Sequence, residues 1–413
     1  MAKTLLIIGF VYPEPKSSAA GRRMLQLIDT FISYGYQITF ATTAQKTKTS
    51  YPLADLAIDE VQIELNHASF NDFIQKLHPD IVLFDRFMTE EQFGWRVAKY
   101  CPKALRILDT EDLHFLRKAR EKAFLEKQAF ADTYLFNEYA KREIASIYRS
   151  DLSLIISEAE MALLKEKFKV PDNLIYYLPF LENPVEENIK TLPDFENRNH
   201  FVTIGTFLHN PNYYSVVYLK NTLWKLIKAQ LPKAQLHIYG AHLSQKAKDL
   251  HHEKDGFIIK GFTDDVIETL SAYKVCLAPL PFGAGLKGKI IDAIKSGTPC
   301  VMSEIAAEGM FGFCKPNGFI SDNPEEFAKK AVTLYTEKEI WKTAQENGFQ
   351  VLRNRFSRKL FNNAFRKKLS ELSKNLDAHR MQNFTGNMLQ YHTLQSTKFM
   401  SKWIELKNKS IIK

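Results

Sequence analysis

The stretch that most constrains how this 413-residue chain can fold runs from residue 274 to residue 303. An apolar run, Val275–Leu280, is followed by three glycines and then by a helical pattern with apolar residues on one face. Gly297 then opens a turn into a second apolar run. This pattern predicts a strand, a glycine loop, a helix, a turn and a second strand.

The glycine loop has the features of an anion site. Gly283, Gly285 and Gly288 leave backbone N–H groups free at the start of the helix, where the helix dipole favours negative charge. Lys287 and Lys289 add positive charge at the same end. A bound phosphate would explain this arrangement, and so would a simple turn with solvated lysines and an i,i±3 ion pair on the helix.

Residues 279–309 resemble the donor-binding segment of retaining glycosyltransferases of the GT-B fold, family 4 (group 1). The segment is Pro279-Leu-Pro-Phe-Gly-Ala-Gly-Leu-Lys-Gly-Lys-Ile-Ile-Asp-Ala, followed by Gly297-Thr-Pro-Cys-Val and Ala307-Glu-Gly. The resemblance covers nearly the whole chain; it is specific at residues 279–309 and weaker elsewhere. It implies an α/β fold of two Rossmann-like doubly wound domains that face each other across a cleft.

The domain organisation expected from this resemblance has three parts. Residues 1–183 form an acceptor-binding domain, 184–199 form a linker that is polar and contains prolines, and 200–385 form a domain that binds the nucleotide sugar. A C-terminal helix, 386–413, crosses back to complete the first domain. The length of the chain independently suits two domains.

The composition and charge of the chain indicate its compartment and the kinds of partner to expect. No apolar run approaches the roughly 20 residues of a membrane helix, and the four cysteines show no paired spacing, so we expect a reduced, cytoplasmic protein. The net charge of +9 is concentrated in residues 341–413, which carry 15 Lys and Arg against 4 Asp and Glu. This basic segment fits either a solvated helical face or contact with the anionic inner face of a membrane. Nucleic acid is not expected, because no nucleic-acid-binding motif accompanies the charge.

Further candidates follow predicted strands, where ligands of open α/β sheets bind. The strands Asp80–Phe84 and Leu105–Leu108 run into loops rich in charge. The candidates there for acceptor binding and acid–base assistance are Arg86, Glu90, Glu91, Asp109, Glu111, Asp112, His114 and Arg117. Each also has a structural explanation; Glu90 and Glu91, for example, suit the first turn of a helix. We place Asp109, Asp112 and His114, with Lys287, in the catalytic set.

The donor-binding set comes from the resemblance. It comprises Gly21, Arg22, Gly205, Thr206, His209, Phe262, Gly283, Gly285, Lys287, Lys289, Asp292 and Glu308. Arg22 and Gly21 would approach the diphosphate, Phe262 lies in the segment expected beside the base, and Asp292 would accept hydrogen bonds from the ribose. Lys287 and Lys289 must supply the phosphate charge, because the family's more usual Gly-Arg-x4-Lys motif is absent after His200-Phe-Val-Thr-Ile. No cofactor or metal is expected beyond the nucleotide sugar itself.

The expected reaction moves a sugar from a nucleotide diphosphate to a hydroxyl of a glycan or lipid-linked acceptor, with retention, in the synthesis of cell-surface polysaccharide or glycoconjugate. Two departures from the family pattern bear on it. The first glutamate of the usual Glu-x7-Glu pair is replaced by Ala284, and the second is Asp292. Asp109 also takes the place of a common histidine, with His114 a turn later. Two alternatives therefore stay open: a sugar-nucleotide-binding pseudoenzyme or assembly partner, and a protein that binds anionic surfaces through its basic tail.

Overall fold

The computed structural model describes residues 3–183 and 191–411. Residues 184–190 of the predicted linker lie outside the described residues. The described chain forms two parallel β-sheets with helices on their faces. This architecture confirms the predicted α/β fold class.

The first sheet has seven parallel strands in the order β3-β2-β1-β4-β5-β6-β7. Leu5 of β1 lies opposite both Ile38 of β2 and Ile81 of β4, so the strand order reverses around β1. The strands are β1 (Lys3–Gly9), β2 (Tyr36–Thr42), β3 (Asp59–Gln62), β4 (Ile81–Asp85), β5 (Leu105–Asp109), β6 (Leu152–Ile155) and β7 (Ile175–Tyr177).

The second sheet has six parallel strands in the order β10-β9-β8-β11-β12-β13. Phe201 of β8 pairs with Leu236 of β9 and with Val275 of β11, so this sheet also reverses around its first strand. The strands are β8 (Asn199–Ile204), β9 (Leu236–Tyr239), β10 (Phe257–Gly261), β11 (Tyr273–Ala278), β12 (Cys300–Met302) and β13 (Gly318–Ile320).

Helices connect the strands and continue past the second sheet. In the first half they are α1 (Ala19–Ser33), α2 (Ser69–Leu77), α3 (Arg86–Tyr100), α4 (His114–Leu125), α5 (Glu138–Arg149) and α6 (Glu158–Phe168). In the second half they are α7 (Asn210–Tyr218), α8 (Trp224–Gln230), α9 (Gln245–Lys248), α10 (Val266–Ser271), α11 (Gly288–Lys295), α12 (Glu304–Ala307), α13 (Pro324–Thr336), α14 (Lys338–Val351), α15 (Arg358–Lys374), α16 (Leu376–Gln382) and α17 (Phe384–Ile411). None of the helices in the described ranges is both long enough and apolar enough to cross a membrane.

Each sheet has a hydrophobic cluster on both faces. In β1, Leu6 and Ile8 belong to one cluster and Leu5 and Ile7 to the other, and all four are at most 1% exposed. Strands covered on both sides are apolar throughout because successive side chains point to opposite faces. The parallel sheets, with helices on both faces, therefore follow from the apolar runs in the sequence.

The chain returns to the first sheet earlier than the sequence predicted. Phe365, Leu369 and Leu372 of α15 belong to the same cluster as Leu5 and Ile7, so the return begins near residue 358 and not at 386. The apolar stripe of α15 is buried against the first sheet, and this packing decides where the helix lies.

The last helix, α17, then lies on α3 and α5. The buried guanidinium of Arg96 in α3 donates hydrogen bonds to Ser401 Oγ at 3.0 Å and to Glu405 Oε1 at 2.7 Å. These contacts confirm the predicted crossing of a C-terminal helix to the first domain.

Candidate functional site

A cavity of about 400 Å³ lies between the two sheets. Loops after β1, β4 and β5 line one side, and loops after β8, β9, β10 and β11 line the other. Ligand pockets of open α/β sheets are expected at these carboxyl ends of strands. The predicted site residues that line the cavity are Arg22, Arg86, Glu111, Asp112, His114, Arg117, Gly205, Thr206, His209, Phe262, Gly283, Lys287, Lys289 and Asp292.

The charges lining the cavity favour an anionic ligand. Three carboxylates line it, those of Glu111, Asp112 and Asp292. Twice as many basic side chains line it: Lys16, Arg22, Arg86, Arg117, Lys287 and Lys289. Such an excess in a concave, partly enclosed site raises the local concentration of anions.

The glycine loop, residues 279–287, packs tightly on the first half of the chain. Gly285 has φ of +63°, which favours glycine, and a Cβ on Gly288 would lie 2.5 Å from the Cβ of Ala19 in α1. Arg120 Nη1 donates to Gly283 O at 2.8 Å. The loop and the start of α11 are therefore held against α1 and α4 of the first half, with the N-terminus of α11 at the cavity.

The two loop lysines lie at that N-terminus. Lys287 precedes α11, is 7% exposed, and donates from Nζ to Gly285 O at 2.6 Å. Burial lowers the pKa of Lys287 to about 8 and that of Lys289 also to about 8. A bound anion would raise both pKa values again, since an opposite charge favours the ammonium.

Asp292 bridges the cleft. It lies in α11 and accepts hydrogen bonds from both Nη atoms of Arg22 in α1, with Nη2 2.9 Å from Oδ2. Arg22 Nη2 also lies 3.5 Å from Gly288 O. Two residues predicted separately as donor ligands are thus paired with each other at the cavity wall.

On the acceptor side, Asp112 is held by Arg117, whose Nε donates to Oδ2 at 2.7 Å. Burial alone would raise the pKa of Asp112, but Arg117 and then His114 outweigh it, and the net shift is downward. His114 Nδ1 lies 3.4 Å from Asp112 Oδ1 and 3.3 Å from Glu143 Oε1. Asp112 is therefore a carboxylate at neutral pH, suited to accept hydrogen bonds and not to donate a proton.

The structure does not bring Asp109, which the sequence placed in the catalytic set, to the cavity. Its carboxylate is fully buried, does not line the cavity, and accepts from Arg23 Nη2 at 2.7 Å and from Nε at 3.0 Å. Arg23 also donates to Leu178 O at 2.8 Å. Asp109 ends β5 inside the fold, where its charge anchors α1 to the sheet.

Three predicted donor ligands also lie off the cavity lining. A Cβ on Gly21 would come within 2.4 Å of Glu14 N, so Gly21 permits a close backbone approach. Gly285 allows an equally close approach of the glycine loop to Asp112, because a Cβ on Gly285 would lie 2.9 Å from the Cβ of Asp112. Glu308 accepts from Arg120 at 2.7 and 2.8 Å, a second ion pair across the cleft.

The glutamates after β4 are likewise structural. Arg149 Nε donates to both oxygens of Glu90 at 3.0 Å, and Arg142 Nη2 donates to Glu91 at 2.6 Å. Neither glutamate lines the cavity. Their pairing partners lie on α5, more than fifty residues away in sequence, and no local pattern indicates them.

Sequence reasoning missed Glu160. This fully buried carboxylate accepts from Leu113 N at 3.0 Å and from Gly285 N at 2.8 Å, so it ties the acceptor-side loop to the glycine loop. Burial, and next Asp112, raise its pKa to about 8. In the sequence it is one of several glutamates in the first turns of helices, and nothing marks it out.

Metal ligands were not found among residues 3–183 and 191–411: no group of three or more His, Cys, Asp or Glu there is arranged to hold a metal ion. All four cysteines are unpaired.

Comparison with known proteins agrees with this geometry. Residues 198–337 match the family model described as Glycosyl transferases group 1, which is about a third of the chain and contains β8–β13. The sucrose-phosphate synthase of Thermosynechococcus elongatus superposes with a TM-score of 0.65 at 15% identity, covering 91% of this chain and 99% of that one. The chain has the GT-B fold.

Two further GT-B structures were solved with bound ligands. Anabaena HepE, in complex with UDP and glucose, has a TM-score of 0.65 at 15% identity and covers 90% of this chain and 100% of its own. The pneumococcal O-GlcNAc transferase GtfA, in complex with UDP and GlcNAc, has a TM-score of 0.66 at 12% identity, covering 90% and 99%. A search of curated protein sequences found no match.

Proposed function

We propose that this GT-B protein is a retaining glycosyltransferase that moves a sugar from a nucleotide-diphosphate sugar to a hydroxyl of a glycan or lipid-linked acceptor. The observation that carries the proposal is the cavity between the two sheets, which Lys287 and Lys289 line at the N-terminus of α11, an arrangement suited to an anion. The match of residues 198–337 to the group 1 family, and the UDP complexes of HepE and GtfA, support the choice of donor.

The donor diphosphate would lie at the N-terminus of α11, between the two lysines, on backbone N–H groups of the glycine loop other than that of Gly285, which already donates to Glu160. Negative charge grows on this group as the sugar–phosphate bond breaks, so preorganised donors there lower the barrier more than contacts elsewhere. Burial keeps the two ammonium groups poorly solvated, which strengthens their interaction with the phosphate. Asp292 would accept from the ribose hydroxyls, and Arg22 would then turn from Asp292 to the phosphates.

The transfer forms a bond between the acceptor oxygen and C1 of the sugar and breaks the bond from C1 to the diphosphate. In the retaining route that the family resemblance implies, the acceptor approaches on the leaving-group side and gives its proton to a phosphate oxygen, with no protein nucleophile. Asp112, fixed by Arg117, would orient the acceptor hydroxyl, and His114 would hold Asp112 in place.

A second candidate function is binding of a sugar nucleotide without transfer. It is favoured by Ala284, which lines the cavity at the position where the family has its first glutamate. The methyl group offers no hydrogen bond to the sugar, so the donor sugar would be held less firmly there.

Calorimetric titration with UDP- and GDP-sugars, followed by radiolabel transfer to lipid extracts and oligosaccharides, tests both candidates. Binding with transfer supports the proposal, and the labelled product then identifies the acceptor. Binding without transfer supports the second candidate. No binding to any donor, by a protein whose melting curve is intact, refutes both. We place the reaction in the cytoplasm, where nucleotide sugars are available.

A further inference from the structure

The outer face of α17 is apolar and exposed. Its inner face is buried: Ser401 is 2% exposed, and Gln390 donates from Nε2 to Arg149 O at 3.0 Å. On the outer face, side chains that are 46–76% exposed are Phe384, Met388, Tyr391, Phe399, Trp403 and Leu406. Large apolar side chains exposed in a row mark a surface that contacts a partner.

These six residues form one stripe. Their spacings are four, three, eight, four and three residues, and at 3.6 residues per turn they fall within an arc of about 120°. The arc points away from α3 and α5, on which the helix lies. The stripe is therefore available along the length of the helix.

The charged side chains on the exposed face of this helix are all positive. By the same helical geometry Lys398, Lys402 and Lys409 lie along one side of the apolar arc, within about 20° of the direction of Tyr391. The only acidic residue between 384 and 411 is Glu405, and its carboxylate turns inward to Arg96. The exposed face thus combines aromatic and aliphatic side chains with positive charge alone.

We propose that this face of α17 binds the surface of an anionic lipid bilayer and lies in the plane of the interface. The aromatic and aliphatic side chains would enter the boundary between headgroups and acyl chains, while the lysines reach lipid phosphates. A second copy of the chain is a less suitable partner for this face, because the lysines of the two copies would then lie close together and repel each other. The proposal does not depend on sugar transfer, and donor binding by calorimetry is expected to be the same with and without vesicles.

Trp403 gives a direct readout. It is 61% exposed, whereas Trp95, Trp224 and Trp341, the other tryptophans, are at most 3% exposed. With vesicles of phosphatidylcholine and phosphatidylglycerol (about 7:3) we expect its emission to shift to shorter wavelength and its quenching by acrylamide to fall. Pure phosphatidylcholine vesicles should give at least about tenfold weaker binding, since each lysine adds about 1 kcal/mol of attraction to an anionic surface.

Variants locate the contact. Phe399→Ser and Leu406→Ser should each weaken vesicle partitioning about tenfold, as expected for leaving one large apolar side chain out of the interface. Lys402→Gln should weaken binding to anionic vesicles about fivefold and leave binding to neutral ones unchanged. The matched controls are Phe313→Ser, at a site 82% exposed, and Lys103→Gln, also exposed; both should bind as the unaltered protein does.

Three results would overturn the proposal. One is equal binding to neutral and anionic vesicles. Another is the same loss of binding in the controls as in the α17 variants. The third is a concentration-dependent dimer, seen by light scattering without lipid, in which Trp403 is already protected from acrylamide. The substituted side chains are exposed, so unchanged thermal melting should accompany every variant.

Discussion

Replacing Lys287 with methionine should separate catalysis from stability in this protein. Methionine fills nearly the same volume without the charge. In the proposed complex the ammonium donates to the leaving diphosphate, and removing one such preorganised donor typically costs about 100- to 1,000-fold in rate. We expect kcat/KM to fall by about that factor, which corresponds to about 3–4 kcal/mol of lost transition-state stabilisation.

The fold should tolerate the change because the buried charge is itself unfavourable. Lys287 has a pKa of about 8 in the folded protein against 10.5 in a model peptide, so at pH 7 its protonated form destabilises the fold by up to about 3 kcal/mol. That penalty is present below pH 8 and disappears as the pH rises towards 10.5. Methionine removes it, at the cost of the Nζ hydrogen bond to Gly285 O, worth about 1 kcal/mol. The Tm of Lys287→Met should therefore be unchanged or higher at pH 7.

The assay pairs steady-state transfer kinetics with thermal melting at pH 7. The matched control is Lys295→Met, two turns further along α11, where Nζ pairs with Glu182 at 2.6 Å and does not line the cavity. Its turnover should stay within a few-fold of that of the unaltered protein. Unaltered turnover in Lys287→Met, or a loss of turnover that the control shares, would refute the placement of the diphosphate at this loop.

Three further predictions concern the cavity and the buried pair beside it. Donor affinity should fall as the pH rises above about 8, because the diphosphate binds the ammonium forms of Lys287 and Lys289 and so takes up protons; a flat affinity profile from pH 6.5 to 9.5 in calorimetry would contradict this. Asp109→Asn should lower the free energy of unfolding by about 3–5 kcal/mol, since it breaks a buried pair with Arg23, and a normal melting curve with lost turnover would instead restore a catalytic role. Asp292→Asn should weaken donor binding about tenfold by replacing a charged acceptor for the ribose; an unchanged Kd, with melting as before, would argue against that contact.

Local patterns in the sequence predicted the core of the second half well. The strand, glycine loop, helix and strand expected between 274 and 303 are present as β11, α11 and β12. Apolar runs bounded by glycine and proline mark buried parallel strands, because both faces of such strands are covered. The same reasoning predicted two loops at the first sheet's carboxyl edge, and Asp112 and His114 do line the cavity.

The structure differs from the sequence predictions where the hydrogen-bond partner of a charged residue lies far away in the sequence. Asp109 and Asp112 are only three residues apart at the end of β5, yet Asp109 pairs with Arg23, 86 residues away, and lies off the cavity. Glu160 reaches Gly285 across 125 residues. A charged residue that ends a strand faces either the cleft or the interior, and only packing decides between them.

The sequence by itself determined the two parallel sheets, the reversal of chain direction at the glycine loop and the positive charge beside it, because these depend on residues within a few positions of one another. Tertiary structure alone decided that Arg22 pairs with Asp292 across the cleft, that the return to the first sheet already begins at α15, and that the outer face of α17 stays uncovered. Those outcomes depend on which surfaces meet when two halves pack, and burial of apolar area and pairing of charge over long separations in sequence select them.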